Sequence, residues 1–154
     1  MGRIYTSRFS GVAVTAVQDI FMILTPSTRI VQIHEVGLSQ LTEIQDAEEV
    51  MLLLQMRSGQ TASGTGGTIP AIVPNLFGDS ASGCTVRAND MTTQATGGTI
   101  VIKHSEYWNV RIPYQKIWTP ETRPIIPPSK RWTFELATAD TFTAAGYIVF
   151  EEIG

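Results

Sequence analysis

The sequence predicts an all-β fold, an antiparallel jelly-roll-like β-sandwich of about eight to ten short strands. Three observations carry that expectation. Apolar and polar side chains alternate with period two in Arg131–Leu136, where Trp132, Phe134 and Leu136 face one way and Arg131, Thr133 and Glu135 the other. Threonine occurs 19 times in 154 residues, more often than the 14 acidic residues, and β-branched side chains suit a pleated sheet better than a helix. Loops of Gly, Ser, Thr and Pro punctuate the chain with no amphipathic helix between them, which favours a sandwich over a parallel α/β sheet. No fixed-period repeat is evident, and 1–154 reads as a single jelly-roll domain.

Strand-like runs begin at 3–9, 11–15, 19–24 and 29–38. The first lies in an amino-terminal stretch, residues 1–10, that mixes Arg3 and Arg8 with Ile4, Tyr5 and Phe9 and suits either an edge strand or an arm reaching a neighbour. In the fourth, the apolar face changes parity from Val31 and Ile33 to Val36 and Leu38, so a bulge or bend is expected near His34 and Glu35. Residues 42–57 fit two patterns. Ile44, Ala47, Met51 and Leu54 share a helical stripe, whereas Val50, Leu52, Leu54 and Met56 alternate as a strand and run into the turn Ser58-Gly59. The prediction is an acidic loop over 42–48 and a strand over 49–57. Runs at 83–87 and 98–104 follow, then an alternating one through Trp108, Val110, Ile112 and Tyr114, with Pro113 marking an edge position or the strand's end. Arg131–Leu136 and 146–153 complete the set. The loops between them, notably 58–68, 75–83 and the proline-rich 119–130, are too soon followed by another strand to be domain linkers.

Composition excludes several functions. The formal charge is -3, with 11 Lys and Arg and no basic run, so little drives counterion release and no nucleic-acid partner is expected. No stretch approaches the roughly 20 apolar residues that cross a bilayer, since Asp19 and Pro26 interrupt the longest candidate, so no membrane partner is expected. Tyr5, Ser7, Arg8 and Ser10 break up the start of the chain, and no secretory leader is predicted. Cys84 is the single cysteine, which rules out an internal disulfide and a multi-cysteine zinc site.

Gly59–Thr65 imitates the spacing of a phosphate-binding loop but lacks its Lys and any following helix, and 64–69 lacks the last glycine of the dinucleotide fingerprint. A flexible surface loop is the better expectation. His34 and His104 each sit inside a strand, where carboxylates such as Glu35 or Glu106 would have to complete any metal site, and a hydrogen-bonding histidine is the commoner outcome. Cys84 reads as a buried, inert thiol. The pairs Glu48-Glu49 and Glu151-Glu152 are adjacent on strands, so their carboxylates point to opposite faces and form no acid/base site. No Gly-x-Ser-x-Gly elbow marks a nucleophile. The expectation is a non-enzyme with no catalytic residue, metal or cofactor. Aromatics remain: Tyr107, Trp108, Tyr114 and Trp118 cluster, Trp132 and Phe134 suit the core, and Trp118 beside Thr119-Pro120 is the best candidate for an exposed anchor.

Several segments together carry a resemblance. They are the opening 1–9 (MGRIYTSRF), 12–21 (VAVTAVQDIF), 29–36 (RIVQIHEV), the Gly/Ser/Thr loop 60–68, 127–136 (PPSKRWTFEL) and the ending 147–154 (YIVFEEIG). In these the chain resembles small jelly-roll decoration or cement proteins, or minor head structural proteins, of tailed bacteriophages. The resemblance implies a homotrimer made in the host cytoplasm that sits on the outer capsid surface, binds the major capsid protein and stabilises the shell by clamping neighbouring subunits. It brings no catalytic residues. Candidate interface residues are Arg3, Tyr5, Arg8, Phe9, Tyr107, Tyr114 and Trp118. The alternative is a carbohydrate- or receptor-binding sandwich of a head or tail fibre, with the aromatic cluster stacking on sugar.

Overall fold

The computed structural model describes residues 2–41, 50–138 and 140–154. Among them are eleven strands and no helix: β1 (Arg3–Val14), β2 (Gln18–Leu24), β3 (Ile30–Gln40), β4 (Met51–Ser58), β5 (Ile72–Pro74), β6 (Thr85–Asp90), β7 (Val101–Asn109), β8 (Tyr114–Ile117), β9 (Ile125–Ile126), β10 (Arg131–Leu136) and β11 (Phe142–Ile153). They form two antiparallel sheets. One runs β5-β1-β11-β3-β8, with β9 also on β3, and the other runs β6-β2-β10-β4-β7. Without β5, β6 and β9, the order is β1-β11-β3-β8 in one sheet and β2-β10-β4-β7 in the other. The first four strands pass from sheet to sheet, β7 and β8 add at the edges beside β4 and β3, and β10 and β11 return between two early strands each. That double wrapping is a jelly roll. The extra strands β5 and β6 come from the connection between β4 and β7 and extend each sheet past β1 and β2.

Alternate residues of each strand fill the space between the sheets. β11 shows it most regularly, burying Phe142, Ala144, Ile148, Phe150 and Glu152 while the residues between them lie nearer solvent. Tyr5 stacks on its cross-strand partner Phe150 within one sheet, while across the layers Phe9 meets Phe21, and Trp108 meets Phe142 edge to face, with centroids 5.2 to 5.8 Å apart. The outward face of β2 is buried as well, because the 58–68 loop forms a layer over it. Isolated bridges Ala62–Thr96, Thr65–Thr93 and Thr68–Ala88 pin that layer down. The loop is therefore fixed, where a flexible one was expected.

The other sequence expectations meet the structure unevenly. The parity change at His34 is a register shift, since Val149 faces Glu35 and the next residue, Phe150, faces Ile33. The runs at 3–9 and 11–15 are a single strand that bulges at Gly11, whose φ of 70° suits glycine. From Arg3 on, the amino-terminal stretch is a strand held on both sides, since β1 pairs with β11 from Arg3 and with β5 over Tyr5–Ser7. The alternation through Trp108 and Tyr114 conceals a break: β7 stops at Asn109, a turn closes with Ile112 N–H donating to Asn109 O (3.0 Å), and β8 starts in the other sheet. The predicted strand at 49–57 is β4, while the acidic loop over 42–48 lies outside the described residues.

Candidate binding surface

Beneath the pinned loop, outward-facing charges converge. Arg57 on β4 places Nη2 2.9 Å from Asp19 Oδ1 and Nε 2.9 Å from Glu135 Oε2. Asp19 Oδ2 accepts the Ala95 N–H (2.6 Å), Glu135 Oε1 accepts from Gln94 Nε2 (2.6 Å), and Asp90 Oδ1 accepts the Gly67 N–H (3.1 Å). Each bond ties loop to sheet. Burial pushes the Asp19 carboxyl up to about 6 against the pull of Ala95 N–H and Arg57, and burial likewise raises Glu135. A second clasp lies at the far end of β11, where buried Glu152 accepts from Arg29 Nη1 (2.6 Å), Ser82 Oγ and the N–H groups of Gly83 and Cys84. The Cys84 thiol is pushed up to about 12 by burial and by nearby Glu152, so it is inert at neutral pH. Both clusters are closed and serve the fold.

The open surface is elsewhere. On one flank the sandwich ends in β7 of one sheet and β8 and β9 of the other. The β4–β7 register slips between Met56 and Arg57, so Lys103 bulges beside His104 and both face the gap between the sheets. There they line a cleft of about 550 Å³, a size typical of ligand clefts. Trp118 and Trp132 wall it, meeting edge to face at 6.4 Å, with Pro124 and Ile125 opposite. Among the described residues, the buried Trp132 indole N–H has no acceptor. Glu106 organises the polar rim: Tyr114 O–H donates to it, His104 Nε2 lies at 3.2 Å and Lys116 Nζ at 3.6 Å. Burial works against its charge, but these partners outweigh it and hold the carboxyl below its usual range. Burial and the bond to Glu106 push the Tyr114 phenol up. Lys103 has no acidic partner among the described residues, so the rim keeps a positive excess.

The opposite flank carries a protrusion. Just past β5, Asn75 N–H donates to Ile4 O (2.8 Å) and Asp79 N–H donates to Leu76 O (3.2 Å), closing a turn over Gly78. Leu76 is 66% exposed and Phe77 fully so. A shallower depression of about 680 Å³ crosses the outer face of the first sheet, where Gly37, Ser39 and Ala145 leave room between Arg8, Tyr147 and Gln115. The Tyr147 ring lies over Gly37, where any Cβ would collide with it, and its O–H donates to Glu35.

The candidate interface residues thus separate. Tyr114 and Trp118 line the open flank from within, whereas Tyr107, alternating with Glu106 and Trp108 on β7, faces outward there at 65% exposure. Trp118 is 8% exposed, packed on Trp132, and is not the exposed anchor expected. Tyr5 and Phe9 are core residues because β1 turns them inward, and the Tyr5 O–H donates to Ser80 O (3.0 Å). Arg3 is exposed at 3.8 Å from Asp79, and Arg8 edges the outer depression. Sequence reasoning missed Lys103, which only the bulge turns inward. It also missed Leu76 and Phe77, whose signal was legible: two large apolar residues inside a Pro-Asn…Gly-Asp-Ser turn segment.

No protein-family model matches the chain, and no curated protein is similar to it. Among solved structures, the chain is weakly similar to VP17, a capsid protein of bacteriophage P23-77, at 9% identity over 96% of this chain and 90% of that one, with a TM-score of 0.14. A likeness that slight carries no weight for fold or function.

Proposed function

We propose that this chain is a structural virion protein, a decoration or cement protein that binds the outer capsid surface and clamps neighbouring subunits of the major capsid protein. The observation that carries this is where the exposed apolar side chains lie. Ile69, Val73, Leu76 and Phe77 gather along and beside β5, while Ile102, Tyr107, Ile112, Ile117 and Ile125 gather at the opposite flank. Soluble monomers seldom keep such patches uncovered, and a chain with 16% charged residues has few ions to offset them. Protein contact along both edges is the function that uses them. In this role three copies act together, so each contact can be weak while the clamp is strong. The protein is made in the host cytoplasm, works on the virion surface, and takes neither nucleic acid nor membrane as partner. It is a binder, with no catalysis in its role. The sugar-stacking alternative has less support, because Trp118 and Tyr114 are packed rather than presented.

Sedimentation tests the proposal. Purified protein mixed with shells of the virus that encodes it, lacking this component, should pellet with them saturably. Protein that stays in the supernatant at every ratio would refute the role, and reproducible binding on a glycan array would favour the alternative.

A further inference from the structure

The two apolar features lie at opposite edges of the same sheet. The Leu76-Phe77 turn follows β5, the first strand of the order β5-β1-β11-β3-β8, and the cleft opens where that order ends. They are also complementary. The turn presents two apolar side chains followed by Asp79, and the cleft presents tryptophan and isoleucine walls with Lys103, which has no acidic partner among the described residues, at its rim. A volume of about 550 Å³ exceeds the needs of one aromatic side chain. Within a molecule the two cannot meet. We infer that the Leu76-Phe77 turn of one copy inserts into the Trp118/Trp132 cleft of the next, with Asp79 set against Lys103.

This joint is head-to-tail: every copy brings one turn and one cleft, so copies add in sequence until a ring closes. It deepens the proposed function by naming the contact between copies, and it rests on that reading only for closure at three. Charge fixes the direction of insertion. Asp79 is only weakly engaged by Arg3, at 3.8 Å, and the 21% of its side chain that is exposed is what faces the partner's cation.

Mixing two single variants tests the joint. Phe77→Ser removes the turn's ring but keeps the cleft, while Lys103→Glu, at an exposed position, spoils the cleft but keeps the turn. By sedimentation velocity over a concentration series, the wild-type chain should grow beyond a monomer, with each variant alone staying monomeric. Their mixture should form a dimer and stop there, because only one joint can be made per pair. Circular dichroism matching the wild type shows that both variants fold. A wild-type chain monomeric throughout, a variant that associates as the wild type does, or a mixture no heavier than its parts would each overturn the joint. If the wild type is monomeric yet both variants lose shell binding, turn and cleft belong to the shell contact: the joint fails and the proposed function stands.

Discussion

Side chains that share a type have opposite duties here according to which way the strand turns them. By sequence Trp118 is the better candidate for an exposed anchor, and burial reverses its standing against Tyr107. Trp118→Ala should lower stability by about 3–5 kcal/mol in urea titration, as large-to-small core changes do, whereas Tyr107→Ser should cost about 0.5 kcal/mol or less and weaken shell binding. Tyr5→Phe deletes only the bond to Ser80 O and should cost about 1 kcal/mol, with no effect on shell binding. Inward duty was partly legible: Trp132 and Phe134 were placed in the core from period alone, and both are there. For Tyr5 and Trp118 the sequence shows an aromatic between an isoleucine and a threonine, which fits an anchor and a core residue alike. Only knowing which strands flank β1 and β8 decides it.

At the scale of elements, the strands were legible because alternation is a local signal, and the bulge at His34 was legible because a one-residue slip reverses parity. What alternation cannot show is a change of sheet. The run through Trp108, Val110, Ile112 and Tyr114 keeps its period across a turn, since a chain crossing between two layers can face the core on both sides. Nor does a Gly/Ser/Thr loop announce that it covers a strand. Its clue was Gln18–Leu24, too continuously buried for a sheet with one wet face. Arg57 holds this arrangement through Asp19 and Glu135. Arg57→Ala would leave two buried acids without their cation and should cost about 3–5 kcal/mol, with faster amide exchange at Ala95, whose N–H bonds Asp19, as the local sign that the 91–100 loop bridged to the 58–68 layer has lifted.

Across the whole molecule, the buried acids set an unusual pH dependence. Asp19 holds its proton more tightly folded than unfolded, about 6 against 3.8, and Glu135 shifts the same way. The native state therefore binds more protons between those values, and stability should rise as pH falls from 7 toward 5, by roughly 1 kcal/mol from Asp19 over that window, out of about 3 kcal/mol reached only below its unfolded value. Glu106 and Glu152 act oppositely, since the fold holds them below the usual carboxylate range, and their contribution is lost as pH drops further. Urea midpoints against pH should peak on the acid side of neutrality, and Asp19→Asn should flatten the rise between pH 7 and 5. A midpoint falling steadily from pH 7 would contradict it. At this scale the low charge counts most, because a chain with few ions keeps its apolar edges together for contact. The central claim is that these edges clasp a shell. Electron cryo-microscopy of virions grown with a tagged copy of this protein should show its density on the outer capsid surface, astride junctions between capsid subunits. Density confined to the tail or fibres, or none on the particle, would contradict the account.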